Sequence, residues 1–409
     1  MNEEKNFLSY SAATFENLAN WPNANIPSIA LITELIPELC GVPYDYVLRD
    51  DPVAMAETTL LVQEYLNVDT IIANMDIYNF EAEAMGAKIR FYPDHCSDID
   101  RSDYFIKSEA DLDKIKFGGL DTGRFPYLIK YCEAYKKYTG ADTFPTFSAP
   151  WTLAGNLYGV DNLVMDTMED PEFVTKFLNK IVDDFHVPMF KALAEVLPGF
   201  HQISLADAFA SIPIVTPCIA KEFIRPSLER IMKKLNMPGI TMQDTAFFGT
   251  AQLEGQERKD FEDFIIWSND MFFCIDPDLT KLTPQYARQV ATEHGVPLMA
   301  GIAAKQVEAG SVEETIAIIK KFVLEGKKGP TPLFFFFNNL SPRTPIEKLL
   351  PATKAVRVYG TPEADENTVF EMPEIITFEE FLKNKISNNT AGYSFDFLKV
   401  SKYKQLLAN

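Results

Sequence analysis

Histidine and cysteine are scarce in this chain: its 409 residues hold four of the first and five of the second. An odd number of cysteines without paired spacing argues against a disulfide framework, and a reducing cytoplasm is the expected location. No CxxC, HExxH, GxSxG or P-loop pattern occurs, so there is no closed zinc set, nucleophile elbow or phosphate cradle. Nor does a GxGxxG follow the first strand, which removes the main sign of an open dinucleotide-binding sheet. Long hydrophobic runs are missing too: "PLFFFF" (332–337) is far too short to cross a bilayer. The start, "MNEEKNFLSYSAATF", lacks a basic region followed by an apolar core, so no secretory signal is expected. Basic residues are outnumbered, 38 against 58 acidic ones, for a net charge of −20. Such a surface repels nucleic acid and anionic membrane, and it also favours solubility.

What is present is a large apolar content, 47% of residues, enough for a sizeable core. Eight segments read as short buried strands, each followed by a helical stretch: 26–33, 68–76, 143–150, 201–209, 239–245, 270–277, 297–304 and 332–339. Most are continuous apolar runs rather than alternating ones, as in parallel strands covered on both faces. Helix starts are marked by Asp51–Pro52, Asp170–Pro171, Thr283–Pro284 and Thr344–Pro345, each an N-cap oxygen before a proline. Ser311 with Glu314, and Thr344 with Glu347, have capping-box spacing, and Gly295 and Gly326 fit helix ends. Eight strand–helix units predict an α/β fold, a (β/α)8 TIM barrel, with an N-terminal helical segment. The expected division is a single barrel domain over 1–360 and a C-terminal extension over 361–409, packed on the barrel.

A barrel carries its chemistry at the C-terminal ends of its strands. There the sequence offers Thr33, Glu34, Asp76, Ser148, Trp151, Asp207, Gln243, Asp244, Asp276, Lys305, Asn338 and Asn339. Four aspartates from separate strands are the strongest signal, although an N-cap or a loop hydrogen bond explains any single one equally well. His201 and His186 read as structural, and His294 suits a helix C-terminus. His95 and Cys96 are adjacent, a poor metal pattern, and Cys132, Cys218 and Cys274 read as small buried hydrophobes. Trp151, Tyr158, Phe247 and Phe248 near strand ends would suit a flat apolar substrate.

At these residues the chain resembles the uroporphyrinogen decarboxylase superfamily. "FSAPWTLAGNLYGVDNLVMDTMEDPEFVTKFLNKI" is similar to the family's third strand and following helix, and "NVDTIIANMDIYNFEAEAMGAKIRFYPD" to its second unit. "SLADAFASIPIVTPCIAKEFIRPSLERI", "LMAGIAAKQVEAGSVEETIAIIKKFVLEG" and "LSPRTPIEKLLPATKAVRVYG" extend the likeness, which runs over about 25–360. The porphyrinogen decarboxylases carry an arginine-rich N-terminal segment; here it is "NIPSIALITELIPELCG", without one arginine. The branch that methylates thiols binds zinc through His-x-Cys and a later Cys. Met242 and Asp244 stand at the first two ligand positions, and Asn338 at about the third.

The resemblance therefore implies the remaining branch, cobalamin-dependent methyltransferases of the aryl methyl ether O-demethylase type. Such an enzyme takes a methyl group from a small methoxylated aromatic and places it on cob(I)alamin carried by a separate corrinoid protein. Asp244, Asp207 and Asp276 are the expected catalytic carboxyl groups. Gln243, Asp76, Asn338 and Asn339 would orient the substrate, with Trp151, Tyr158 and Phe247 as walls. Zinc is left open, because the usual ligands are absent and only an oxygen-rich set of Asp244, Gln243, Asp207 and Asp276 remains. Expected partners are the corrinoid protein and the aromatic donor, with a homodimer as a further expectation. The alternative is a decarboxylase or other lyase acting on a smaller acid, its carboxylate held by Lys305; a barrel that only binds a ligand or a partner is a third.

Overall fold

A computed structural model describes residues 21–71, 76–143, 145–197, 200, 202–245 and 247–408. Phe144, His201, residues 72–75 of the second expected strand and the first twenty residues, where the N-terminal helical segment was expected, lie outside them. Every one of the eight expected strand segments holds a strand: β1 (Ser28–Ala30), β2 (Thr70–Ile71), β3 (Thr146–Ser148), β4 (Gln202–Ala206), β5 (Thr241–Thr245), β6 (Phe272–Phe273), β7 (Leu298–Ala303) and β8 (Leu333–Asn338). A short antiparallel pair, Ile89–Arg90 with Asp98–Ile99, was not foreseen. Two residues a side is too brief for a period-two pattern to register.

The chain divides into two compact units. The first comprises residues 1–72, 130–143 and 274–409; its strands β2, β1, β8 and β7 lie side by side and parallel. β7 and β8 are buried along nearly their whole length, which is why "LMAGIA" and "LFFFFN" read as unbroken apolar runs. Gly301 faces the backbone of Phe336 so closely that a Cβ there would collide with the Phe336 carbonyl. Residues 361–409 belong to this unit. Their helix Phe378–Ser387 lays Phe378 and Phe381 against Tyr65, at ring-centroid distances of 5.1 and 5.3 Å. Glu57 is fully buried and accepts from the Tyr138 hydroxyl at 2.6 Å, the Ser394 N–H at 2.5 Å and the Phe395 N–H at 3.2 Å. That one carboxylate ties the terminal segment to the helix Pro52–Leu66.

The second unit comprises residues 73–129 and 144–273, with β3, β4 and β5 parallel and in that order. The cap signals are realised where an oxygen can reach the first free N–H groups. Asp51 accepts from Val53 and Ala54, Asp170 from Phe173, Thr283 from Tyr286, and Ser311 with Glu314 forms a full capping box. Thr344 corrects the pattern: the helix starts at Ile346 with Pro345 as its cap, and the Thr344 hydroxyl serves Ser341 and Glu308 instead. Cys132 and Cys274 are buried as expected, whereas Cys218 is exposed, because it stands in the first turn of a helix whose residues there face outward. Among the described residues no helix is long and apolar enough to cross a membrane.

Candidate functional site

The second unit gathers four ionisable groups that sequence reading only half anticipated. β4 and β5 pair in register, Leu205 opposite Asp244 and Ala206 opposite Thr245. One residue beyond β4, the Asp207 N–H donates to the Thr245 carbonyl at 2.8 Å. This brings the carboxyl groups of Asp207 and Asp244, both with no exposed surface, close enough for their charges to repel. Asp207 Oδ1 accepts from the Thr152 N–H at 2.9 Å and from the Thr152 hydroxyl at 2.5 Å. Asp207 Oδ2 and both oxygens of Asp244 have no hydrogen-bond partner.

Thr152 is where it is because "APWT" starts a helix, Pro150–Tyr158, immediately after β3. Pro150 occupies the first turn, where its missing N–H costs nothing, and Thr152 presents one of the free N–H groups of that turn. The following loop is locked to the same turn. The Phe209 N–H donates to the Thr152 hydroxyl oxygen at 3.0 Å, and the Trp151 indole N–H donates to the Phe209 carbonyl at 3.2 Å.

Burial pushes the Asp207 carboxyl up to about 7, while the two bonds from Thr152 work in the other direction. Asp244 is pushed well above the ordinary carboxyl range, first by burial and then by the charge of Asp207. Two like charges this close in an apolar setting do not both form at neutral pH, so the pair holds one proton between them. Tyr78, half-buried and held at a φ of +81°, adds a phenol kept neutral by burial and by the neighbouring Asp207, Asp244 and Glu81. Its backbone carbonyl is fixed by the Asn156 side-chain amide at 2.7 Å. Glu81, fully buried, accepts from the Ser148 N–H and, at 3.2 Å, from the Ser148 hydroxyl. Burial raises its carboxyl to about 7, and the charge of Asp76 acts in the same sense. Beside Ser148 lies His186, sealed and stacked on Phe190 at 5.6 Å; burial drives it down to about 3 against the pull of the Ser148 backbone, so it is neutral.

Of the expected site residues, the structure thus brings Asp207 and Asp244 together. Gln243 goes elsewhere, because neighbours on a strand face opposite ways. Its amide accepts from Gln202 at 2.6 Å and donates to the Asn269 carbonyl at 3.4 Å, so it is spent on the scaffold rather than on a substrate. Asp76 is closed by an ion pair to Arg124 at 2.5 Å and by the Asn79 amide at 2.9 Å; Arg124 also binds Glu83. The three aromatic walls are packing residues as well. Trp151 is enclosed, Phe247 is clamped edge-on by Phe261 and Phe264, and the Tyr158 hydroxyl donates to Asp166 at 2.8 Å beside Phe173 and Phe177. An aromatic side chain beside a strand end is as useful for seating the next helix as for receiving a ligand.

Asp276, Asn338 and Asn339 belong to the first unit. Asp276 accepts from the Thr280 hydroxyl at 2.5 Å, Asn338 ends β8, and Asn339 takes a φ of +50° on the exposed turn that follows. Thr152, Tyr78 and Glu81 were missed, while His186, read as structural, is sealed in the core. The available signals were a hydroxyl in the first turn after a strand and a glutamate inside the apolar-faced "FEAEAM".

Zinc of the family's thiolate kind does not suit these residues. At the two positions that the resemblance would give to an imidazole and a thiolate, the chain has a thioether, Met242, and a carboxyl group, Asp244. Among the described residues no group of three His, Cys, Asp or Glu is placed to hold a metal.

The chain matches the family model "Uroporphyrinogen decarboxylase (URO-D)" over residues 47–251, half of its length. A curated relative, the methylated-thiol–coenzyme M methyltransferase of Methanosarcina mazei, is 28% identical over 222 residues. That alignment covers 54% of this chain and 58% of the relative, so the chain spans less than two thirds of that protein. A solved structure, a methyltransferase from Methanosarcina mazei, is 16% identical and superposes with a TM-score of 0.67 over 85% of this chain and 98% of its own. At that identity the likeness is one of fold, and it makes the fold class α/β, of the (β/α)8 TIM-barrel type. The chain belongs to the uroporphyrinogen decarboxylase (URO-D) family.

Proposed function

We propose that this protein is a methyltransferase that moves a methyl group from a small methoxylated aromatic to cob(I)alamin on a separate corrinoid protein. The observation that carries the reading is the sealed Asp207–Asp244 pair, which holds a proton at neutral pH, with Asp244 at a position that the resemblance assigns to a zinc ligand in the thiol-methylating branch. The curated relative's name, a methyl transfer enzyme, supports the reaction class. Without the zinc set, the thiol-activating version of that class lacks its machinery.

The chemistry this chain has to supply is modest and specific. An aryl methyl ether resists displacement because phenolate is a poor leaving group. The bound corrinoid supplies a cobalt(I) nucleophile. The pair supplies the proton: an O–H bond of its carboxyl group breaks as the aryl oxygen takes both electrons of the departing C–O bond, giving a neutral phenol. A carboxylic acid kept protonated by burial performs this at neutral pH, which an ordinary surface aspartate does not. Exclusion of water strengthens both the donation and the repulsion that drives it. Tyr78, Phe209 and Phe248, half-buried in the same unit, are the side chains proposed to meet the aromatic ring.

The decarboxylase alternative needs cations for substrate carboxylates. Arg124, the buried arginine of the second unit, is already neutralised by Asp76 and Glu83. The test is spectroscopic. Mixing the protein with cob(I)alamin, free or on a corrinoid protein, and a panel of methoxyarenes should bleach the cob(I) band and give a methylated corrinoid and a phenol. Silence with a corrinoid protein that another methyltransferase can load, together with release of carbon dioxide from a small acid, would replace this reading with the lyase.

A further inference from the structure

The two carboxyl groups of the pair are not equivalent. Asp207 Oδ1 receives two hydrogen bonds from one residue, the N–H and the hydroxyl of Thr152, at 2.9 and 2.5 Å. That N–H sits in the first turn of the helix Pro150–Tyr158, the end whose unpaired N–H groups and dipole favour negative charge. The direction of the hydroxyl bond is fixed as well. Thr152 Oγ1 accepts from the Phe209 N–H at 3.0 Å, so its own proton is left to be given to Asp207. Asp244 has far less: the backbone N–H of the next residue, Thr245, is the one donor acting on it, neither oxygen makes a hydrogen bond of ordinary geometry, and its neighbour across the strand pair is Leu205. A carboxylate that accepts two strong donors is the one that stays charged, and the carboxyl with the weaker set is the one that keeps the proton.

We infer that the single proton of the pair resides on Asp244 and that Thr152 puts it there, making Asp244 the acid and Asp207 its ionised partner. Thr152 is a positioning residue, acting through Asp207. Use of that proton in methyl transfer rests on the function proposed above; its location does not. Tyr78 is the other ionisable side chain acting on both members, and Glu81 acts on Tyr78 and is itself held by Ser148.

The discriminating variant is Thr152→Val, which keeps the N–H and the volume and removes the hydroxyl donor. If Asp207 is charged both before and after the second proton leaves, losing this donor raises only the first ionisation of the pair, by about one to two pH units. The second, loss of the proton from Asp244, stays where it was. If the proton sat on Asp207 instead, the second ionisation would rise and the first would stay.

The measurement is a carbon NMR titration of the free protein, with aspartate isotope-labelled at the side-chain carboxyl so that Glu81 is silent. Above the first ionisation, at about pH 8.5, the protonated signal should vanish in Asp244→Asn and persist in Asp207→Asn. Thr152→Val should move the first step alone, and Thr152→Ser should restore it. A protonated signal lost in Asp207→Asn but kept in Asp244→Asn overturns the assignment, as does a second step that moves in Thr152→Val. In a methyl transfer assay the same split appears as a shifted acid limb with an unmoved alkaline limb. An inactive protein with the expected titration would sink the proposed function and leave the proton on Asp244.

Discussion

Glu57 in the first unit and Asp244 in the second are both carboxyl groups without exposed surface, yet they are treated in opposite ways. Glu57 accepts from a tyrosine hydroxyl and two backbone N–H groups, so burial gives it fixed donors in exchange for water. Asp244 has no hydrogen bond of ordinary geometry on either oxygen, only the pull of the neighbouring Thr245 N–H, and a second carboxyl beside it. The first arrangement is what stability selects. A buried polar group with no partner costs about 1–3 kcal/mol, more if charged, and is tolerated mainly where a reaction or a ligand uses it. Position in a strand or helix does not separate the two residues; their hydrogen-bond partners do.

The sharpest way to break this contrast is to replace each carboxyl group in turn. Asp244→Asn should lower the rate of methyl transfer about 10²–10⁴-fold, the usual contribution of a positioned general acid, with no fall in the urea midpoint. A loss of stability matching that of a structural carboxylate would show Asp244 to be another Glu57. Glu57→Ala should do the reverse. It strands two backbone N–H groups and a tyrosine hydroxyl, and about 3–5 kcal/mol of unfolding free energy should go with them. Proteolysis should then reach the segment around Ser394 first, with the chemistry intact in the protein that remains folded. An unaltered urea midpoint in this variant would remove Glu57 as the anchor.

How much of this could be read from the chain follows the same line. All eight strand segments were legible, because an apolar run flanked by Pro, Gly and Asp is a local feature and its burial demands no knowledge of partners. Asp207 and Asp244 were legible as residues at strand ends. Their pairing depends on the register of Leu205 against Asp244, a tertiary fact. The expected site residues that the structure engages elsewhere share one feature. Trp151, Tyr158, Phe247, Gln243 and Asp76 all stand near strand ends, and each found its partner inside the scaffold: a carbonyl, a helix acid, a phenylalanine cluster, another glutamine and an arginine. Residue type and position say that a group is available for a site. Only the list of its partners says whether it has been taken. Thr152 was overlooked for the complementary reason, since a threonine in the first turn of a helix looks like routine helix-start chemistry.

Glu81 lies between the two extremes, buried with donors from Ser148 and from its own backbone N–H, and its smaller effect tests whether the contrast is graded. Its carboxyl is raised from the ordinary 4.5 to about 7 by burial, so the folded protein keeps a proton that the unfolded chain has released. Stability must therefore fall as pH rises across that window, and level off above it. The shift corresponds to something on the order of 3 kcal/mol if the site stays as dry as it is here. Glu81→Gln keeps an acceptor for the Ser148 N–H and supplies a donor to the Ser148 hydroxyl, but has no proton to lose. Urea midpoints measured from pH 5 to pH 8 should decline less steeply in this variant than in the parent. Part of the decline must remain, because the Asp207–Asp244 pair also keeps protons that the unfolded chain has released, and acts in the same direction. Parallel slopes would mean that Glu81 is ionised throughout, which would move it from the side of Asp244 to the side of Glu57.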